Sequence, residues 1–372
     1  MPVLSSLQLW SLVLLFQMGS NLVFGFGAGA KQDAWIAAGI STIAGCILIW
    51  VYCKTVELNT GLNWVPLLIR VFGSVLGNLL STLYILAFLY GAGRVLRDFG
   101  ELLHTYILPK TPIGVTMALL ALLIAYSCYV GIERMARVAE IGIILMLLFL
   151  LVQIIFLFSS GLIQPSLLQP VATDWTRILK TAFPLGVNVP FGETLAFAMF
   201  WVWTGRVRAY RKALFLATIS AGILFIVLDV LTVATLGPEM FSVSLYPLLA
   251  TFRLISFADF VENLDPLVVT NFLITGTFKI YVFSYAACTG ITQQFGLKSH
   301  RAVIVPVALL VYLLALYTAR DIASHIFVGL QWVPWVLWVP LFIVIPIAAL
   351  CLSLLKQYVY REGAKQRETS NE

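Results

Sequence analysis

The chain has 372 residues, of which 61% are hydrophobic and only 11% charged, with a mean hydropathy of +0.98 and a formal net charge of +6. Soluble domains carry about 25% charged and about 45–50% apolar residues, so this composition excludes a water-soluble globule and defines a polytopic membrane protein. The basic excess lies in the connections between apolar runs, where it sets topology, and gives no reason to expect a nucleic-acid partner.

A helix needs about 20 mostly apolar residues to cross a hydrocarbon core of roughly 30 Å. Charge-poor runs of that kind fall near 4–30, 34–53, 74–93, 112–131, 141–160, 181–203, 213–236, 266–290, 302–318 and 332–355, which predicts ten spans. The first is expected to be retained, because it lacks both the basic leader and the small-residue cleavage site of a secretory signal. After the second span, KTVELNTGLNWVPLLIR reads as an interfacial, partly amphipathic connection, and the third span continues into the charged extension GRVLRDFGELLH. Between spans seven and eight, YPLLATFRLIS has helical spacing and precedes the acidic DFVENLD, which together read as a short surface helix capping one face.

Orientation follows from the basic residues in the connections. With a cytoplasmic N-terminus, the cytoplasmic side holds Lys54, Arg70, Arg134, Arg137, Arg206, Arg208, Arg211, Lys212, Lys298 and Arg301, and the tail adds Lys356, Arg361, Lys365 and Arg367. The opposite side has Lys31, Lys110, Arg177, Lys180, Arg253 and Arg320, with Arg94 and Arg97 at the end of span three. Both termini are therefore expected in the cytoplasm.

Ten helices divide into two sets of five, near 4–160 and 174–355, followed by a tail at 356–372. Spans one and six, first in each set, share an anomaly. Span one contains MGSNLVFGFGAGA, with Gly19, Ser20 and Asn21 followed by Gly25, Gly27 and Gly29; span six contains FPLGVNVPFGE, with Pro184, Gly186, Pro190, Phe191, Gly192 and Glu193. Interruptions at matching places in two halves point to the midplane site of an inverted-repeat transporter. Breaking a helix frees backbone N–H and C=O groups that cost several kcal/mol each in hydrocarbon, so a break persists where it lines a cavity or meets a ligand. Free N–H groups at half-helix N-termini suit a carboxylate and half-helix C-termini suit a cation; an amino acid zwitterion matches both. Glycine-mediated close packing in span one and a simple proline kink in span six are the competing readings.

The segments MGSNLVFGFGAGAKQDAWIA, PFGE, YPLLATFRLISFADFVENLD and FKIYVFSYAACTG occur in an order and spacing that resembles the B subunit of the spore germination nutrient receptors. That spore-permease family belongs to the amino acid–polyamine–organocation superfamily, and the resemblance covers essentially the whole chain. It implies an all-α, ten-helix, leucine-transporter-like 5+5 inverted repeat with broken helices one and six. It also implies recognition of a small germinant such as an amino acid, and assembly with A and C subunits in the inner membrane of the spore.

Charged residues inside spans are functional candidates by default. Glu193 has two open roles, direct ligand contact or a structural one holding the break. Lys279 lies in span eight, some 14 residues beyond Asp265, too deep for easy snorkelling. In the arrangement the resemblance implies, span eight lies against the break in span one where relatives bind sodium, so Lys279 is expected to supply that positive charge and to partner Glu193. Tyr90 and Gly91 in span three are pocket candidates, with Gly91 leaving room for a ligand, and Phe283, one turn beyond Lys279, is a candidate apolar wall. Arg97, Asp98 and Glu101 are expected to form an ordinary i, i+4 salt-bridged extension. Asp229, in span seven, is expected to be paired or exposed in an outer vestibule.

No metal or cofactor is expected: His104, His300 and His325 sit near span ends without clustering, and the five cysteines have no ligand spacing. Enzyme readings lack their parts, since FGFGAG lies within an apolar span without a preceding strand and neither HExxH nor GxSxG occurs. The leading expectation is a germinant-sensing receptor subunit; the alternative is an autonomous proton-coupled amino acid transporter.

Overall fold

The computed structural model describes residues 4–22, 24–25, 27–204, 207–255 and 264–369, and every regular element among them is helical. Helix α1, Ser6–Met18, starts on a capping box in which the Ser5 hydroxyl accepts from Gln8 and the Gln8 side chain accepts from Ser5 N–H. Helices α2 (Ala34–Leu58), α3 (Trp64–Phe72), α4 (Ser74–Tyr106), α5 (Ile113–Val130) and α6 (Ile132–Ser159) follow, then the short α7 (Trp175–Thr181). The second half contains α8 (Val207–Leu236), α9 (Pro238–Val243), α10 (Pro247–Arg253), α11 (Asp265–Gln294), α12 (Arg301–Tyr317), α13 (Ile322–Phe327) and α14 (Ile345–Thr369).

Among the described residues, seven helices are long and apolar enough to cross a membrane, and an eighth is reached if α12 and Ile322–Trp332, bent by 113°, count as one span. Of the ten expected runs, those starting near 4 and 181 are the shortfall, and both are where the sequence is interrupted. Helix α1 is 13 residues long. Residues 175–204 form no single regular helix: α7 gives way to π-type turns at Ala182–Phe191, with extended dihedrals at Phe183 and Val189, and then to 3₁₀ turns at Gly192–Met199. Large apolar side chains such as Leu122 of α5, Ile144 of α6 and Val305 of α12 are exposed at 67%, 65% and 71%. Such outward faces need lipid rather than water, and the chain is an integral membrane protein.

Helix α3 is too short to span; it buries Trp64, Val65, Leu67, Leu68 and Val71. The expected cap after span seven is present as α10, with Pro247, Leu248, Leu249, Thr251 and Phe252 buried; most of the acidic stretch that follows lies outside the described residues, as does Arg206 of the orientation argument.

The most extensive packing joins α4 to α11 and α2 to α8. At the first contact Phe99 stacks on Phe272 at 4.4 Å between centroids, and a Cβ on Gly276 would stand 2.2 Å from the Phe99 ring. Gly276→Val is therefore expected to overpack this seam and cost about 1–3 kcal/mol, read as a lower thermal unfolding midpoint in detergent.

Backbone groups freed by the irregular segments are answered by side chains from neighbouring helices, as a low-dielectric interior requires. Tyr52 of α2 donates to Gly192 O at 3.2 Å and to Phe342 O at 2.5 Å, and Tyr84 of α4 donates to Leu341 O. Thr275 of α11 donates to Gly19 O at 3.0 Å, and Asn188 to Pro184 O at 2.8 Å. Gln17 Nε2 ties α1 to Thr194 at 3.0 Å and to Thr218 of α8 at 2.9 Å.

Candidate ligand-binding site

Helix α1 stops because Gly19 takes φ 24°, ψ −131°, a conformation that strongly favours glycine. The same residue lets the Lys279 stem cross the end of α1: a Cβ on Gly19 would stand 2.3 Å from Lys279 Cδ. Lys279 Nζ thereby reaches Glu193 Oε2 at 2.7 Å, with side chains only 1% and 6% exposed. The contact is an ion pair by distance, while Glu193 Oε2 lacks a well-aligned hydrogen bond. The Lys279 ammonium also lies 5.7 Å from the Phe16 ring centroid. The snorkelling alternative is excluded by this burial, and the expected Glu193 partner is found.

Glu193 and Lys279 face a cavity of about 50 Å³ that Gly91, Arg94 and Asp98 of α4 also line, roofed by Ile326, Gly329, Leu330 and Trp338. Its four charged residues balance in formal sign, two carboxylates against two cations. Asp98 corrects one expectation. It pairs with neither Arg94 nor Arg97 but with His325 of α13, Oδ1 to Nε2 at 2.8 Å, while Arg97 alone takes the i, i+4 partner Glu101 at 2.6 Å. Arg94 donates to His325 O at 2.8 Å and lies over the Tyr90 ring at 5.8 Å. Its guanidinium occupies the place a Cβ on Gly329 would need, 1.8 Å from Nη2. Arg94 and the Asp98–His325 pair thus hold Ile322–Trp332 onto α4 above the Glu193–Lys279 pair.

A second cavity of about 50 Å³ lies on the other side of Phe24 and Val189, whose side chains line both spaces. It is lined by Asn21, Ser41, Thr181, Pro190, Phe191 and Asp229, among others. The expected site residues therefore divide. Gly91, Glu193 and Lys279 meet in the first cavity, and Asn21, Pro190 and Phe191 in the second. Phe283 backs Gly91 at 3.1 Å from its notional Cβ and stacks on Phe88, forming an inner wall. Gly19 shapes the first cavity through Lys279. Gly192 instead packs against Asn188 and Phe342, and Tyr90 reaches the first cavity through Arg94 and through the Trp338 ring, 6.3 Å away between centroids. The Ser20 side chain lies outside the described residues.

Sequence reasoning missed Arg94, Asp98, His325 and Trp338 as lining or supporting groups. Asp98 and His325 lie 227 positions apart, and the local i, i+4 pattern offered Asp98 a nearer partner. His325 likewise had a nearer acid in sequence, Asp321 at i−4, but that carboxylate caps α13 by accepting from Ser324 N–H and leaves the imidazole to Asp98. Among the described residues no group of three or more histidine, cysteine or acidic side chains is placed to hold a metal ion.

This helical architecture, built round irregular segments with buried charge, is that of a membrane transporter fold. It superposes on the structure of MhsT in complex with L-phenylalanine with a TM-score of 0.63, at 15% identity, covering 95% of this chain and 99% of that one. The structure of Mhp1, a nucleobase-cation-symport-1 family transporter, in a closed conformation with bromovinylhydantoin bound, matches with a TM-score of 0.58 at 12% identity, covering 88% and 75%. The chain belongs to the spore germination protein family, whose model matches residues 3–323. It is 30% identical over 362 residues to spore germination protein KB of Bacillus subtilis (strain 168), covering 97% of each chain.

Proposed function

We propose that this protein is the germinant-sensing membrane subunit of a spore germination receptor, a non-catalytic protein that binds a small nutrient such as an amino acid and signals to A and C subunits. It works in the inner spore membrane with both termini in the cytoplasm. Its ten spans form two inverted five-span repeats, 4–160 and 174–355, with spans one and six broken. The two most extensive helix contacts, α4 with α11 and α2 with α8, support this reading, because each joins spans five apart in the ten-span count.

The observation that carries the proposal is the buried Glu193–Lys279 pair at the junction of the two irregular segments, facing a cavity. A zwitterion entering there exchanges one ion pair for two: its ammonium faces Glu193, and its carboxylate faces Lys279 and Arg94. Because Glu193 belongs to one irregular segment and Lys279 packs on the end of α1, a ligand between them ties the segments together and favours one arrangement of the bundle. The amino acid ligand class draws support from the L-phenylalanine held by MhsT.

The test is germination of spores carrying Glu193→Gln with this subunit present at wild-type level. Loss of the response to amino acids is expected; an unchanged response at unchanged nutrient concentration contradicts the proposal. A second reading, an autonomous proton-coupled amino acid transporter, is favoured by two carboxylates on one cavity, Glu193 and Asp98, the latter backed by the His325 imidazole. Accumulation of labelled amino acid in proteoliposomes holding this protein alone would select it.

A further inference from the structure

We propose that the second cavity, around Asp229, is a separate binding site for a primary ammonium group. The inference is independent of the germinant reading of the Glu193–Lys279 cavity. The polar side chains of this cavity come from four elements: Asn21 just beyond α1, Ser41 of α2, Thr181 of α7 and Asp229 of α8.

What they present to the cavity is decided by where their protons already go. Asn21 Nδ2 donates back to Gln17 O at 2.8 Å, which turns Oδ1 away as the free end of the amide. Asn21 is 7% exposed and its Oδ1 is buried without a partner. Ser41 Oγ donates to Ala37 O at 2.7 Å, and Thr181 Oγ1 donates to Arg177 O at 2.9 Å, so each hydroxyl has only lone pairs left. Asp229 adds a carboxylate. Each of the four groups thus has an acceptor to offer the cavity: both hydroxyl protons are already taken by backbone carbonyls, and Asn21 keeps a free Oδ1 beside the one N–H left over from its bond to Gln17 O.

No cation among the described residues answers Asp229. Lys31 pairs with Glu239 at 2.6 Å, and Arg177 is turned to Asp33 at 3.8 Å. A buried acceptor without a donor costs free energy, and the cavity of about 50 Å³ has room for the missing donor. A primary ammonium brings one positive charge and three N–H donors, matching a carboxylate and three neutral oxygens. The remaining walls include the rings of Phe24, Phe191 and Phe225, which suit an organic cation through its alkyl group and through cation–π attraction. That lining favours an ammonium over a bare alkali ion, which needs oxygens on all sides.

The test is thermal unfolding of the purified protein in detergent at constant chloride and ionic strength, with methylammonium, sodium, potassium or N-methylglucamine as the cation. Methylammonium is expected to raise the midpoint saturably, by about 2 °C at ten times its Kd. Asp229→Asn should abolish the shift, Ser41→Ala should weaken the apparent affinity about 3–10-fold, and Glu193→Gln should leave it in place. The assignment is overturned if methylammonium acts no differently from N-methylglucamine on the wild type, or if Asp229→Asn keeps the full shift. Saturable stabilisation by sodium or potassium but not by methylammonium also overturns it, in favour of an alkali-metal site. Should Asp229→Asn fail to fold, Ser41→Ala and Asn21→Leu carry the comparison, and unchanged affinity in both is the contradicting result.

Discussion

Lys279→Met is expected to destabilise the folded protein by about 3–5 kcal/mol, more than any other single substitution considered. Removing the ammonium leaves Glu193, 6% exposed at its side chain, as an uncompensated carboxylate. Glu193→Gln alone should be costly in the same sense, leaving Lys279 buried without its counter-charge. The double variant Glu193→Gln/Lys279→Met removes both charges together and should recover most of the loss, because a buried ion pair is worth little net against apolar or neutral replacements. Thermal unfolding of the four proteins in a double-mutant cycle measures this directly. Independent, additive losses would show that the two groups do not share a partner.

The second large effect is expected from His325→Leu, at about 3 kcal/mol. His325 is fully buried and its Nε2 meets Asp98 at 2.8 Å. Leucine fills much of the imidazole volume but leaves Asp98 facing an apolar group. Asp98→Asn should cost less than half as much, because a carboxamide still bonds the imidazole and no charge is stranded. The pair also holds Ile322–Trp332 against α4, so His325→Leu should raise proteolysis and hydrogen exchange in that segment before it affects the α4–α11 seam. Equal loosening at both places would contradict a local fastening role.

The membrane class and most of the spans were readable because lipid imposes long apolar runs on any crossing helix. Span-length helices appear at α2, α4, α5, α6, α8 and α11, and from Pro334 to Val359. The Glu193–Lys279 pair was readable for the same reason: a charge in such a run is costly enough that each member needed the other. The division of the site into two cavities was not. It depends on Phe24 and Val189 standing between them, and nothing in an apolar run marks one ring as a partition. The Asp98–His325 contact was hidden by a competing local pattern. Only packing places α13 against α4 so that Asp98 faces the imidazole and Arg97 takes Glu101. Asp229 was expected to be paired or exposed in an outer vestibule; that the neighbouring hydroxyls face it with lone pairs alone required knowing which carbonyl each hydroxyl meets.

The central claim, that a small nutrient binds at the Glu193–Lys279 cavity, is tested most directly by a thermal-shift screen of the purified protein against amino acids. The wild type is compared with Glu193→Gln/Lys279→Met, the variant expected to keep its fold. At least one amino acid should raise the wild-type midpoint saturably, by about 2 °C at ten times its Kd, and leave the double variant unmoved. The same shift in both proteins, or none in the wild type across the amino acids, would contradict it.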